Sequence, residues 1–178
     1  EPELSNGAKV ILKKTDFKND EIKFRGIAKG GNTNYGENDF VNLKYFGGVI
    51  GQSGLGNFSN TELQKALYGK QVSMNLDMGN FTKEVSGQSV PKDIETMMQL
   101  AYLNFTNISK DQESYNSMMQ QLKLMLANKG LTPEAVYTDS LMLTLYGHNP
   151  RFAPNDTTDL PKINYDRIMQ IWKESFGN

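Results

Sequence analysis

Residues 71–90 read QVSMNLDMGNFTKEVSGQSV, and this stretch decides the fold class. Apolar and polar side chains alternate from Gln71 to Met78 and again from Phe81 to Val90, which is typical of strands with one buried face. Gly79-Asn80 lies between the two segments and favours a tight turn. The stretch therefore predicts a β-hairpin.

The sequence before the hairpin predicts a second pair of strands and then two helices. The first strand is expected over Ala8–Lys13, after an Asn-Gly turn, and its partner over Glu21–Ala28, where charged and apolar residues alternate. Apolar residues spaced three and four apart predict a helix over Asp39–Gln52. Ser59 and Glu62 have the spacing of a capping box, which predicts that a short helix begins there.

After the hairpin, the sequence is rich in Met and Leu at helical spacing. Helices are predicted over Pro91–Phe105, Ser109–Leu126, Thr132–Gly147 and Asn164–Phe176. Because strands come early and helices late, the order favours a single α+β domain over residues 1–178 rather than alternating βαβ units. We expect a mainly antiparallel sheet of about four strands, with roughly five or six helices packed largely on one face.

The composition excludes several kinds of site. The chain of 178 residues has no Cys and a single His, His148, so it cannot build a zinc site from Cys or from three His residues, a disulfide or a thiol nucleophile. A net charge of −1 gives no basic surface for nucleic acid, so no nucleic-acid partner is expected. No apolar run approaches the ~20 residues that cross a bilayer, so no membrane insertion is expected.

Two stretches invite a functional interpretation on their own. Gly48–Gly56 is rich in glycine, but it lacks the Gly-Lys-Ser/Thr end of a phosphate loop and follows a helix rather than a strand. His148 follows the predicted end of a helix, where the helix dipole favours a protonated imidazole. This position explains the histidine without a catalytic role. An enzyme that relies on His148 or on the scattered carboxylates is one hypothesis, but no catalytic or metal-binding residue is predicted.

Several stretches, taken in order, resemble one family of peptidases. They are Leu4–Val10, Lys13–Ile22, Ser53–Ser59, Pro91–Glu95 and Tyr146–Arg151. Together they are similar to a domain of the insulinase/pitrilysin-type zinc metallopeptidases, and most of all to the long bacterial members. The resemblance spans essentially the whole chain and implies the LuxS/insulinase-like metallopeptidase fold.

In that family, catalytic domains carry H-x-x-E-H on the first long helix, where two histidines bind zinc and the glutamate activates water. The corresponding positions here are Tyr45, Gly48 and Val49, so this helix keeps none of the motif residues. The resemblance therefore implies the first domain of the second, non-catalytic half, which is not an enzyme by itself. It implies no cofactor in this domain, with zinc held in the catalytic half of a zinc-dependent endopeptidase.

The resemblance also implies that the chain is a fragment of a larger multidomain peptidase, truncated before a last strand. The implied partners are the catalytic half of the same polypeptide and a peptide substrate, in the bacterial periplasm or cell envelope. The implied substrate-facing edge strand consists of Met74, Asn75, Leu76, Asp77 and Met78. The alternative hypothesis is an independent peptide- or protein-binding module without any association with a peptidase.

Overall fold

A computed structural model describes residues 2–18 and 20–177 and shows an α+β fold, as the sequence predicts. The strands are β1 (Ile22–Lys29), β2 (Gly54–Leu55), β3 (Val72–Met78), β4 (Thr82–Ser89) and β5 (Ile108–Ser109). The α-helices are α1 (Phe40–Lys44), α2 (Phe46–Gly51), α3 (Asn60–Ala66), α4 (Ile94–Thr106), α5 (Gln112–Lys129), α6 (Pro133–Leu145) and α7 (Tyr165–Ser175). Short 3-10 helices lie at Asn32–Asn34, Glu37–Asp39, Pro91–Asp93, Pro150–Phe152 and Thr157–Lys162.

The central sheet has three antiparallel strands in the order β1-β4-β3. The predicted hairpin is confirmed, because β3 pairs with β4 and the Gly79 N–H donates to the Thr82 carbonyl at 2.9 Å in the turn. β1 runs along the other edge of β4, where Gly26 lies opposite Val85. A Cβ on Gly26 would come within 2.8 Å of the Val85 side chain, so glycine lets these strands approach each other.

Helices cover one face of this sheet, and the other face is polar. The side chains of Leu76, Met78 and Val85 are buried on the covered face, where α2 and α4 contact β3 and α7 packs against α2. The opposite face carries Arg25 and Glu84, which form a salt bridge at 2.6 Å. The sheet with helices on one side agrees with the expected architecture. Within the described ranges, no helix combines the length and the apolar character needed to cross a membrane.

The predicted strand over Ala8–Lys13 is wrong. This segment contributes only an isolated bridge between Glu3 and Lys9, and the side chains of Ile11 and Leu12 are exposed. The strand expected to pair with it is β1, which pairs with β4 instead. Alternation indicates that a segment can form a strand, but its partner is set by non-local packing, and β4 matches β1 along its whole length.

The predicted helix over Asp39–Gln52 is interrupted. Tyr45 has a φ of −103° and a ψ of 4°, outside the helical range, and separates α1 from α2. Gly47, Gly48 and Gly51 lie in α2 and lower its helix propensity. The six-residue helix therefore depends on the core contacts of its apolar side chains rather than on its intrinsic preference.

Two of the predicted helix starts, at Ser59 and at Asn164, are confirmed by side-chain caps. The Ser59 hydroxyl accepts from the Glu62 N–H, and the Ser59 N–H donates to the Glu62 carboxylate at 2.9 Å, which completes the capping box of α3. At the start of α7, Asn164 Oδ1 accepts from the Arg167 N–H at 3.0 Å. No comparable signal marks the β2–β5 ribbon, which has two residues in each strand. Sequence reasoning does not find this ribbon.

Candidate functional site

Tyr45, the first of the three positions that the sequence resemblance matches to H-x-x-E-H, is buried at the junction of α1 and α2. Its hydroxyl donates to Asp159 Oδ2 at 3.1 Å, and Lys44 Nζ lies 2.9 Å from the same oxygen. Burial, together with the negative charge of Asp159, raises the pKa of Tyr45 above its usual value, so the hydroxyl stays protonated. Tyr45 is therefore a hydrogen-bond donor to a buried carboxylate.

The other two positions, Gly48 and Val49, have no side chain that could bind a metal ion. Val49 is fully buried, whereas Gly48 is exposed and has only Met118 Sδ, at 4.0 Å, near the place a Cβ would occupy. Zinc sites are built from imidazole, thiolate or carboxylate groups, so Tyr45, Gly48 and Val49 do not fit a zinc ion. Within residues 2–18 and 20–177, no group of three or more His, Cys, Asp or Glu residues could hold a metal ion.

Asp159, in the loop between α6 and α7, links this loop to Lys44 at the end of α1 and to Tyr45 directly after it. Besides Lys44 and Tyr45, it accepts a hydrogen bond from the Asp156 N–H at 3.2 Å, and Lys44 also donates to the Pro154 carbonyl at 3.1 Å. Removing one partner of a buried ion pair leaves the other charge uncompensated, which costs about 3–5 kcal/mol. Lys44, Tyr45 and Asp159 therefore form a buried structural anchor between α1 and this loop.

β3 is an edge strand, because among the described residues only β4 pairs with it. Its register shows where its backbone groups point. The Gln71 carbonyl accepts from the Val90 N–H at 3.3 Å, and the Gly79 N–H donates to the Thr82 carbonyl at 2.9 Å, so the odd-numbered residues between them bond to β4. The N–H and C=O groups of the even-numbered residues therefore point away from the sheet.

Helix α2 covers one part of this edge and leaves another part open. A Cβ on Gly47 would lie 3.8 Å from the Leu76 carbonyl oxygen and 3.6 Å from Asp77 Oδ1. Because the side chains of neighbouring strand residues point to opposite faces, a helix that approaches both Leu76 and Asp77 lies against the edge itself. The edge is closed around Leu76 and open at Val72 and Met74.

A groove of about 500 Å³ runs along the open part of the edge. Its lining includes Val72–Asn75, Leu63 of α3, Leu67 directly after α3, and Leu100 of α4, while Lys70 adds a positive charge. The strand offers outward N–H and C=O groups, and the helices offer apolar side chains. An extended peptide would find both hydrogen-bond partners and an apolar contact here.

The predicted substrate-facing segment divides into two parts. Met74 and Asn75 line the groove, whereas Leu76 and Asp77 lie beside α2 and the side chain of Met78 is buried. The lining that α3 and α4 contribute is not found by sequence reasoning, although the apolar spacing of α3 is the signal that points to it. Which strand residues remain open depends on the position of α2, and no local pattern contains that information.

His148 lies in the loop after α6 with an exposed side chain. Its φ is 57°, and its N–H donates to the Leu143 carbonyl at 2.8 Å, which ends the helix. In the described parts of the chain the imidazole forms no hydrogen bond with a serine or a carboxylate. The structure therefore does not bring His148 together with a nucleophile.

No protein-family model matches the chain. A curated protein named zinc protease PQQL-like, from Arabidopsis thaliana, is 26% identical to it over 174 residues, which are 97% of this chain and 16% of that protein. The chain thus spans about a sixth of the length of this relative.

Solved structures show the same fold. The periplasmic protease PqqL from Escherichia coli matches 98% of this chain with 19% of its own, at a TM-score of 0.73 and 17% identity. The ferredoxin protease FusC, solved as a mutant in complex with Arabidopsis ferredoxin, matches 97% of this chain with 19% of its own, at a TM-score of 0.70 and 16% identity. An inactive domain of an M16 peptidase from Pseudomonas fluorescens matches 85% of this chain with 37% of its own, at a TM-score of 0.67 and 15% identity. The chain is therefore similar in sequence to a plant zinc protease and in fold to solved peptidase domains, which confirms the resemblance to zinc metallopeptidases seen in its sequence.

Proposed function

We propose that this chain is the first domain of the non-catalytic C-terminal half of a longer zinc metallopeptidase. It forms part of the chamber that encloses the substrate, opposite the catalytic half with its H-x-x-E-H motif. The observation that carries the proposal is a peptidase-domain fold in which Tyr45, Gly48 and Val49 do not fit a zinc ion. The chain spans 16% of the plant relative and 19% of PqqL, which supports a larger parent protein.

In this proposal the chain has no catalytic residue and no cofactor of its own. The parent protein is a zinc-dependent endopeptidase, and its zinc, held by the catalytic half, supplies the Lewis acid that activates water. The partners of this chain are that catalytic half and a peptide substrate, without nucleic acid and without insertion into a membrane. By analogy with PqqL, a periplasmic protease, we place the protein in the bacterial periplasm or cell envelope.

Within the chamber, the open part of the β3 edge binds substrate. An extended peptide adds a strand along Val72 and Met74, whose backbone groups point outward, and rests an apolar side chain against Leu63 and Leu67. Backbone hydrogen bonds give affinity that depends little on the peptide sequence. This mode of binding suits a chamber wall that meets different segments of a substrate.

A proline substitution at the open edge tests this mode of binding. Val72→Pro removes one outward N–H without removing a bond to β4, and the matched control Val72→Ala shortens the same side chain but keeps that N–H. In the longer polypeptide we expect Val72→Pro to raise the KM for peptides about fivefold over the control, the effect of one hydrogen bond of about 1 kcal/mol. Equal KM values for the two variants would remove the β3 edge from the proposal.

Peptide cleavage by the 178-residue chain and by the longer polypeptide tests whether catalysis requires the other half. The 178-residue chain alone should not cleave unfolded peptides, whereas the longer polypeptide should. His148→Ala should leave turnover by the longer polypeptide unchanged, because His148 only ends a helix. Cleavage by the chain alone that is lost in His148→Ala would instead support an enzyme that relies on this residue.

A second candidate function is an independent peptide- or protein-binding module. It is favoured by one observation, namely that an unpaired strand edge lies beside an apolar groove, which is the arrangement by which peptide-binding modules add a strand to a sheet. Titration of the chain alone with unfolded peptides separates the two functions. Sub-millimolar binding without any other domain would favour the module, and no binding would favour a wall that works only in the assembled chamber.

A further inference from the structure

Helix α6 packs against the rest of the domain with one face only. Ala135, Asp139 and Leu143 recur every four residues and are half-buried, and Asp139 forms a salt bridge of 2.7 Å with Lys129 of α5. None of the 13 residues of α6, all of which lie in the described part of the chain, is buried. The helix is therefore attached to the domain by its inner face alone.

The opposite face of α6 carries Tyr137, Leu141 and Leu145, which we call the α6 outer stripe. These side chains also recur every four residues, and they are 69%, 41% and 67% exposed. A helix that is apolar on opposite faces is typical of one that is covered on both sides. A contiguous row of exposed apolar side chains is a candidate interaction surface.

The chemistry of α6 narrows the choice of partner. The helix contains Glu134 and Asp139 but no Lys or Arg, whereas helices that lie on a membrane surface are rich in basic residues. Glu134 lies three residues before Tyr137, at one end of the outer stripe. The partner surface is therefore apolar, with a basic residue opposite Glu134.

The comparisons indicate where such a surface can come from. The chain matches 16% of the plant relative and 19% of PqqL, so more than four-fifths of each polypeptide lies outside the matched part. That length is ample for further domains. We propose that the α6 outer stripe is the surface on which another domain of the same longer polypeptide docks. This inference rests on the proposed function, because it requires a parent protein with additional domains.

Hydroxyl-radical labelling of two tyrosines tests the docking. Tyr137 of the outer stripe and Tyr102 of α4 have nearly equal exposure, 69% and 68%, so they should react at similar rates in the 178-residue chain. In the longer polypeptide, we expect the rate at Tyr137 to fall about fivefold, because residues at the centre of an interface lose their contact with water. An unchanged rate at Tyr137 would overturn the proposal.

Two variants keep the proposal falsifiable. In the longer polypeptide, Leu145→Glu should return the labelling rate of Tyr137 to within about twofold of its rate in the 178-residue chain, because a buried unpaired charge opposes docking. Ser140→Glu, an exposed position of the same helix outside the stripe, should leave Tyr137 protected. Equal effects of the two variants would contradict docking through the stripe.

The outcomes also separate this inference from the proposed function. Protection of Tyr137 that grows with the concentration of the chain alone would show that a second copy covers the stripe, and would overturn docking of another domain. Protection in a longer polypeptide that binds no zinc would keep the docking and refute the peptidase assignment. A zinc-binding polypeptide with an unprotected Tyr137 would refute the docking alone.

Discussion

Helices α7 and α6 have similar lengths, 11 and 13 residues, but they differ in where their apolar side chains lie. In α7 these side chains share one face, and Ile168, Ile171 and Trp172 are buried against the core. In α6 they surround the helix, and none is buried within the described residues. The comparison shows that the apolar residues of α7, which share one face, are covered by this domain, whereas those of α6, which lie on all sides, are left without a complete cover.

The largest expected effect is the loss of a core contact of α7. Ile168 is fully buried, so Ile168→Ala should lower the free energy of unfolding by about 4 kcal/mol, through lost apolar contacts and the cavity left behind. Urea denaturation of the 178-residue chain measures this change. A loss below about 1 kcal/mol would contradict the place of α7 in the core.

The second-largest effect is expected at the loop that connects α6 and α7. Lys44→Met removes the charge that compensates buried Asp159 in the loop between α6 and α7, and should cost about 3 kcal/mol in the free energy of unfolding. Lys162→Met is the control, because Lys162 is exposed in the same loop. Urea denaturation that gives equal losses for the two variants would show that the buried ion pair does not anchor this loop.

The contribution of the Asp39–Arg167 pair, at the start of α7, to the free energy of unfolding should depend on pH. The Arg167 guanidinium donates to both carboxylate oxygens of Asp39 at 2.8 Å, and these hydrogen bonds lower the pKa of Asp39. A lowered folded-state pKa stabilises the fold above the ordinary pKa, so this contribution is present at neutral pH and is lost as the pH falls through the acidic range. Asp39→Asn should therefore cost about 2 kcal/mol at pH 7, and progressively less towards pH 3.

Asp166→Asn provides the control for this pH dependence. Asp166 lies beside Arg167 in the first turn of α7, but its carboxylate is exposed, and its ion pair with Lys110 should contribute less than about 1 kcal/mol. Chemical denaturation between pH 3 and pH 8 measures both variants. A cost of Asp39→Asn that does not change with pH would contradict the role assigned to the Asp39–Arg167 pair.

The smallest effect is expected on α6. Leu145→Ala removes a side chain that is 67% exposed, so the free energy of unfolding of the chain should change by less than about 0.5 kcal/mol. The same denaturation experiment measures it beside Ile168→Ala. A loss above about 2 kcal/mol would show that the outer stripe already packs within this domain, and the contrast between α6 and α7 would disappear.

Local chemistry made a large part of the fold predictable. The alternation on both sides of Gly79-Asn80 identifies the β3–β4 hairpin, and the capping residues Ser59 and Asn164 identify the starts of two helices. Each of these signals acts over a few residues along the chain. They are reliable because the turn and the first helical turn satisfy their own backbone groups.

The failures arise where distant segments decide the outcome. Ala8–Lys13 has the β-branched apolar centre of a strand, but β1 pairs with β4, far along the sequence. Tyr45 interrupts a regular apolar pattern, and its hydroxyl bonds to Asp159 more than a hundred residues later. No pattern near either segment contains these partners, so sequence reasoning could not place them.

In the candidate site, too, local features are predictable from the sequence and features set by distant packing are not. The sequence identifies β3 as a strand and Tyr45, Gly48 and Val49 as positions without the motif residues. It does not show that α2 closes the edge near Leu76, nor that α3 and α4 line the open groove beside Val72. Both features depend on how helices that are separate in sequence pack against one strand.

Zinc analysis of the purified protein tests the central claim most directly. After dialysis against metal-free buffer containing a weak chelator, the 178-residue chain should retain essentially no zinc, because Tyr45, Gly48 and Val49 offer no suitable ligand. The longer polypeptide, treated in the same way, should retain about one zinc ion in its catalytic half. One tightly bound zinc ion per 178-residue chain would contradict its assignment as a non-catalytic domain.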